Sequence, residues 1–151
     1  MKLYFKIFIK SLALITLFCL QLCLLRFEHS PIVQPLLIAY AYILFTNASI
    51  VTLAALLFFL DCLTFMYTGM AGLTFIFLIP LSWFLLKTKK DLYNKVAGPC
   101  FLIFSYELFY MVIFFIFLKY PLHPLALLWA TIVNCCIFVA IWRIANQPFH
   151  D

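Results

Sequence analysis

The sequence predicts an all-α integral membrane protein, a compact bundle of six transmembrane helices forming a single domain over residues 1–151. Composition is the first reason. A chain that is 68% hydrophobic and 10% charged has too little polar surface to coat a water-soluble globule, which is typically about half apolar and a quarter charged. The second is the run from Ser30 to Leu86, free of charge except at Asp61. As one helix it would extend roughly 85 Å against a hydrocarbon core of about 30 Å, so it must cross about three times. The third is the placement of the lysines, which sets the parity of the crossings.

The first element, IFIKSLALITLFCLQLCLL (7–25), is apolar enough to span, with Lys10 snorkelling toward the headgroups. Lysines followed by an apolar stretch resemble a secretory signal, but no small-x-small cleavage pattern follows, so an uncleaved anchor is expected. Two breaks divide the long run: TNAS (46–49) and TGMAG (68–72), the second carrying Gly69 and Gly72. Unpaired backbone belongs at the interfaces, which gives helices over 32–45, 48–67 and 70–86, the first of them short. GPCFLIFSYELFYMVIFFIFL (98–118) and LALLWATIVNCCIFVAIWRI (125–144) complete the set. Pro31, Pro99 and Pro124 fall at or just before a helix start, where proline costs least, whereas Pro80 falls inside the fourth helix and is expected to kink it.

Charge tests the count. Lys2, Lys6 and Lys10 mark the first helix, and Lys87, Lys89, Lys90 and Lys95 form the one long basic loop. The positive-inside rule places both clusters in the cytoplasm, which requires an even number of crossings between them. The first helix and three from the long run satisfy this. Both termini are then cytoplasmic, Arg143 lies inside, and Arg26 and Lys119 lie outside. The net charge of +5 suits anionic lipid headgroups or an acidic partner, without any need for nucleic acid.

The chemical inventory specifies no enzyme, cofactor or metal. His29, His123 and His150 fall in loops or the tail, away from ligand-spaced partners, and none of the six cysteines forms a CxxC pair. The cysteines are expected to be small buried hydrophobes. The 19 Phe and eight Tyr are accounted for by lipid-facing rings and interfacial belts. Asp61, in the third helix, and Glu107, in the fifth, are the two intramembrane acids. An aspartate at a helix centre costs about 2.5–3.5 kcal/mol to insert, while the Leu, Ile, Val and Phe residues between 50 and 67 return roughly 3–6. Insertion is tolerated, but tolerance does not explain why an acid is there. Apart from Lys10 and Arg143, close to the ends of their helices, no Lys or Arg lies within a span to pair with either acid. Thr64 and Tyr110, each three residues on, share their helix faces and are the expected local partners. Two roles stay open: fixing helix packing, or ion or proton coupling. For Asp61 the expectation is a hydrogen bond across the bundle.

The order PLLIAYAYILF, LLFFLDCLTFMYTG, GLTFIFLIPLSWFLL, a basic loop, YELFYMVIFFIFL and HPLALLWATIVNCCIFVAIWRI resembles MreD, the bacterial rod-shape-determining membrane protein family, from about Leu14 to Arg143. Its most specific part is Leu60-Asp61 followed by Gly69 and Gly72. Asp61 and Glu107 match acidic positions common in that family. The bare TNAS break departs from it, since relatives often carry basic or polar residues there. The resemblance implies a non-catalytic scaffold in the inner membrane. Its partners would be MreC, MreB and the RodA synthase with its penicillin-binding protein, in support of cell shape and lateral peptidoglycan synthesis. It also implies a fold similar to the substrate-binding subunits of energy-coupling-factor transporters, although fold does not carry function. The alternative is a small solute-binding or transport subunit using Asp61 and Glu107.

Overall fold

A computed structural model describes residues 2–27, 33–46, 49–87, 92–119, 121 and 123–146. They form six α-helices: α1 (Lys2–Phe27), α2 (Pro35–Thr46), α3 (Ile50–Thr68), α4 (Leu73–Lys87), α5 (Leu92–Leu118) and α6 (Pro124–Asn146). No strand occurs among the described residues, as the all-α reading expects.

Boundaries differ from the expectation where local chemistry outweighs hydropathy. α1 begins at Lys2 rather than Ile7, because lysine is a good helix former even though it weakens an apolar pattern. α2 begins at Pro35 rather than at residue 32, since proline has the backbone angle of a first helical residue and no N–H to leave unpaired. α5 begins at Leu92 rather than Gly98, which puts Pro99 inside the helix instead of at its start. There it removes the bond to the carbonyl four residues earlier. Pro124 opens α6 and Pro80 lies within α4, both as expected. Pro31, Asn47 and Ala48 lie outside the described residues.

Three helices are long and apolar enough to cross a membrane, over Ile7–Leu24 in α1, Lys95–Leu118 in α5 and Pro124–Asn146 in α6. α2, α4 and the apolar stretch Ile50–Met66 of α3 are shorter. The expectation of six spans is thus met by length for three. α2, with 12 residues, reaches only about 18 Å of the roughly 30 Å hydrocarbon thickness.

That short helix is the centre of the bundle. Leu36, Leu37, Ile38, Tyr40, Ala41, Leu44 and Phe45 are all buried, and Pro35, Ala39, Tyr42 and Ile43 on the remaining face are half-buried, so α2 is apolar because most of its surface meets protein. It packs against α1, α3, α5 and α6, while α4 closes on α3 and α5. Stacked rings fasten the periphery: Phe18 of α1 on Phe59 of α3 at 4.8 Å, and Phe77 of α4 on Phe109 of α5 at 4.4 Å. Tyr40 of α2 and Ser82 of α4 share a buried hydrogen bond of 2.8 Å.

Gly98 lets α5 approach α2. A Cβ built there would stand 2.8 Å from the Phe45 ring, closer than carbon atoms pack. Gly98→Ala is expected to destabilise the bundle by about 1–2 kcal/mol, as overpacking does. Phe45→Leu in the same chain is expected to recover part of the loss, read as a coupling energy from unfolding by dodecyl sulfate titration in mixed micelles. Additive effects would show that the ring and the glycine do not meet.

Candidate functional site

Asp61 lies two turns before the end of α3, and the chain reverses over it. Gly69 ends the helix with φ +70°, donating its N–H to Phe65 O at 2.8 Å, and Gly72 follows at φ +92°. Both are angles that glycine adopts without strain. The reversal brings the start of α4 onto the Asp61 carboxyl. Gly72 N–H donates to Oδ2 at 2.8 Å and to Oδ1 at 3.0 Å, and Thr74 N–H donates to Oδ1 at 3.2 Å. These amides belong to the set that a helix N-terminus leaves without internal partners, and an acidic group there also meets the positive end of the helix dipole. Asp61 is therefore the cap of α4, supplied from α3.

Thr64, expected beside Asp61, bonds elsewhere. Its hydroxyl donates to Leu60 O at 3.0 Å and pairs with Thr74 Oγ1 at 2.8 Å. With its single proton spent on Leu60, Thr64 accepts from Thr74. Thr74 is thus held twice by α3, through its N–H by Asp61 and through its hydroxyl by Thr64. The buried Tyr106 hydroxyl of α5 reaches the same two threonines. The bond expected to cross the bundle from Asp61 instead joins α3 to the next helix in sequence.

Glu107 makes the cross-bundle connection. It is 4% exposed. Thr131 Oγ1 of α6 donates to Oε2 at 2.7 Å, and Asn134 Nδ2, one turn further along α6, donates to Oε1. Asn134 is fully buried, and its Oδ1 accepts the Gln34 N–H at 2.9 Å. The next free amide of α2, Leu36 N–H, points to Gln21 Oε1 of α1 at 3.4 Å. Two amides at the N-terminus of the central helix are thus capped by side chains from α6 and α1, and Glu107 orients the Asn134 cap from behind. Tyr110, the expected partner on the same face, takes part instead in a ring ladder with Tyr106 and Phe114 along α5.

No family model, no curated protein and no solved structure matches the chain. The site's chemistry is therefore read from its own atoms. Among the described residues every buried side-chain nitrogen and oxygen has a hydrogen-bond partner, and no three of His, Cys, Asp and Glu gather as a metal set. The oxygens of both acids are engaged by neighbouring helices. α5 is common to the two clusters, turning Tyr106 to one and Glu107 to the other.

Gln21, Gln34, Thr131 and Asn134 were not singled out from the sequence. The signal was available: an amide side chain inside an apolar run has the same claim to a partner as a carboxyl. Of the basic cluster, Lys87 and Lys95 are exposed at facing ends of α4 and α5, and Lys87 Nζ sits 3.5 Å from the centroid of the Trp83 ring, an arrangement suited to an interfacial anchor. Lys89 and Lys90 lie outside the described residues, as do His29 and His150. The cysteines depart from the expected burial: Cys19, Cys23 and Cys136 are exposed and Cys62, Cys100 and Cys135 half-buried, all as free thiols. On a lipid-facing helix surface an apolar thiol has no reason to turn inward.

Proposed function

We propose that the chain is a non-catalytic scaffold of the bacterial cell-elongation machinery, an MreD-like protein that supports cell shape and lateral peptidoglycan synthesis beside MreC. MreB, RodA and its penicillin-binding partner would complete the assembly. The observation that carries this over the solute-carrier alternative is the use made of the acids. Asp61 holds the α3–α4 turn and Glu107 holds α6 against the start of α2. Side chains committed to joining helices serve a rigid surface for partners better than an exchanging ligand site.

In this reading the bundle crosses the cytoplasmic membrane six times. The short α2 is admissible because its N-terminal end is capped by side chains of α6 and α1 rather than left to lipid, and irregular backbone is tolerated at depth under that condition. Leu36 N–H meets Gln21, six residues before the end of α1, so α2 starts about 9 Å below that end. Both termini and the 87–95 loop face the cytoplasm, following the lysines. Reporter fusions at Asp91 and Leu122 are expected to read cytoplasmic and periplasmic respectively, and periplasmic activity at Asp91 would overturn the six-crossing topology.

The functional test is depletion in the source cell with affinity capture from mild detergent. Rounding, or disordered wall synthesis in a naturally spherical cell, together with recovery of MreC, is the expected result. A specific uptake defect with normal wall growth, or recovery of an ATP-driven transport module, would move the assignment to the solute-binding subunit.

A further inference from the structure

We propose that the groove between α4 and α5 holds one acyl chain of an anionic phospholipid, whose phosphate is received by Lys87 and Lys95. The groove follows from side-chain size. Phe101, Ser105 and Phe109 stand one turn apart on one face of α5, so the small serine leaves a hollow between two rings. Val112 continues that face, and Phe77 and Leu81, also one turn apart, form the opposite wall on α4. The space encloses about 370 Å³. Among its described lining residues only Ser105 has a polar side chain.

Its dimensions select the occupant. On α5 the groove runs from Phe101 to Val112, a rise of about 16 Å, close to the depth of about 15 Å of one leaflet of a bilayer core. That length and volume leave a slot roughly 5 Å across, whereas a helix with its side chains measures about 10–12 Å. An extended hydrocarbon chain fits the slot and a transmembrane helix does not. The groove also stops short of Leu118, the end of α5, so it serves a single leaflet.

Charge marks which leaflet. The stack of Phe77 on Phe109 sets the register of the two helices. Measured along the axes from that stack toward the connecting loop, Phe101 lies about 12 Å away, Lys87 about 15 Å and Lys95 about 21 Å. The lysines therefore stand roughly 3 and 9 Å beyond the mouth of the groove, the depth of a headgroup layer of about 5–8 Å. Both are exposed. Lys87 lies on the lipid-facing side, with its Nζ over the exposed Trp83 ring. Lys95 shares its helix face with the buried Leu102, two turns on, and so stands at the inner edge of the mouth. A phosphate there is met from both sides, and a zwitterionic headgroup gains less because its own cation faces the same lysines.

The lipid site rests on the membrane placement proposed above and not on the scaffold role, so the test uses the purified full chain alone. Native mass spectrometry follows its retention of phosphatidylglycerol and phosphatidylcholine of the same chains, supplied in equal amounts in detergent. The expected result is one phosphatidylglycerol per chain, preferred about 20–30-fold, since each lysine near a membrane surface contributes about fivefold. Lys87→Gln with Lys95→Gln is expected to remove the preference and leave both lipids equally and weakly retained. Ser105→Phe fills the hollow and is expected to abolish retention of either lipid at an unchanged unfolding midpoint. Equal retention of the two lipids by the wild type, which needs no variant to fold, overturns the proposal, as does a preference that survives in the double lysine variant. Unchanged lipid retention in a folded Ser105→Phe, with loss of a second copy or of a co-purifying protein, gives the groove to a partner helix and equally overturns it.

Discussion

Replacing Asn134 by leucine is expected to cost the folded bundle about 3 kcal/mol, since each buried polar group left without its partner costs roughly 1–3 kcal/mol. Leucine keeps the branched outline but puts two methyl groups where the oxygen and the NH2 stood, so some overpacking at this fully buried position adds to the lost bonds. What disappears is the acceptor for the Gln34 N–H and the donor to Glu107 Oε1, leaving α2 uncapped at an end where water cannot substitute. Thr131→Val removes a single hydroxyl from the same carboxyl and is expected to cost about 1 kcal/mol, the usual net worth of one such bond. Unfolding in mixed micelles against the mole fraction of dodecyl sulfate measures both. Equal midpoints for Asn134→Leu and wild type would mean that the amide contributes nothing to holding α2.

Asp61→Leu is expected to cost a similar amount, about 2–4 kcal/mol, by stranding the N–H groups of Gly72 and Thr74 together. Asp61→Asn separates shape from charge. An asparagine with its oxygen at the Oδ1 position keeps the contacts of 3.0 and 3.2 Å, but its Nδ2 then takes the Oδ2 position, 2.8 Å from the Gly72 N–H. Two donors face each other there, so the variant is expected to lose about 1 kcal/mol relative to wild type. Under the proposed scaffold role it should accumulate in cells and retain most shape-complementing activity, while Asp61→Leu should lose the partners that role requires. If Asp61→Asn accumulates and binds partners yet has no activity, the carboxylate has a role beyond capping α4.

The six helices were legible because hydropathy and the two small breaks are local signals, and Gly69 and Gly72 marked the one turn whose backbone angles demand them. Asp61 was legible as an oddity, yet its partners were not. A helix-face argument looks three or four residues along the same helix, whereas the carboxyl bonds 11 and 13 residues ahead, across a reversal. Glu107 was further out of reach, since its partners lie 24 and 27 residues on, in another helix. Nothing in a single sequence states which helix faces meet. The short α2 was visible as a short apolar run, but that it occupies the middle of the bundle follows only from its packing against α1, α3, α5 and α6. The start of α5 was misplaced because Gly98-Pro99 reads locally as a boundary, while tertiary packing carries the helix through it.

The cap on α2 has a consequence for the order in which the protein is made. Gln34 and Asn134 are 100 residues apart, which at about 5–20 residues per second corresponds to roughly 5–20 s of synthesis. During that interval the central helix exists without the side chain that closes its leading amide. The first helix can already offer Gln21, but the bundle cannot lock until the last one arrives. A nascent chain arrested before α6 emerges should therefore be open to membrane proteases at Gln34 and the first turn of α2, and that sensitivity should vanish once Asn134 has left the ribosome.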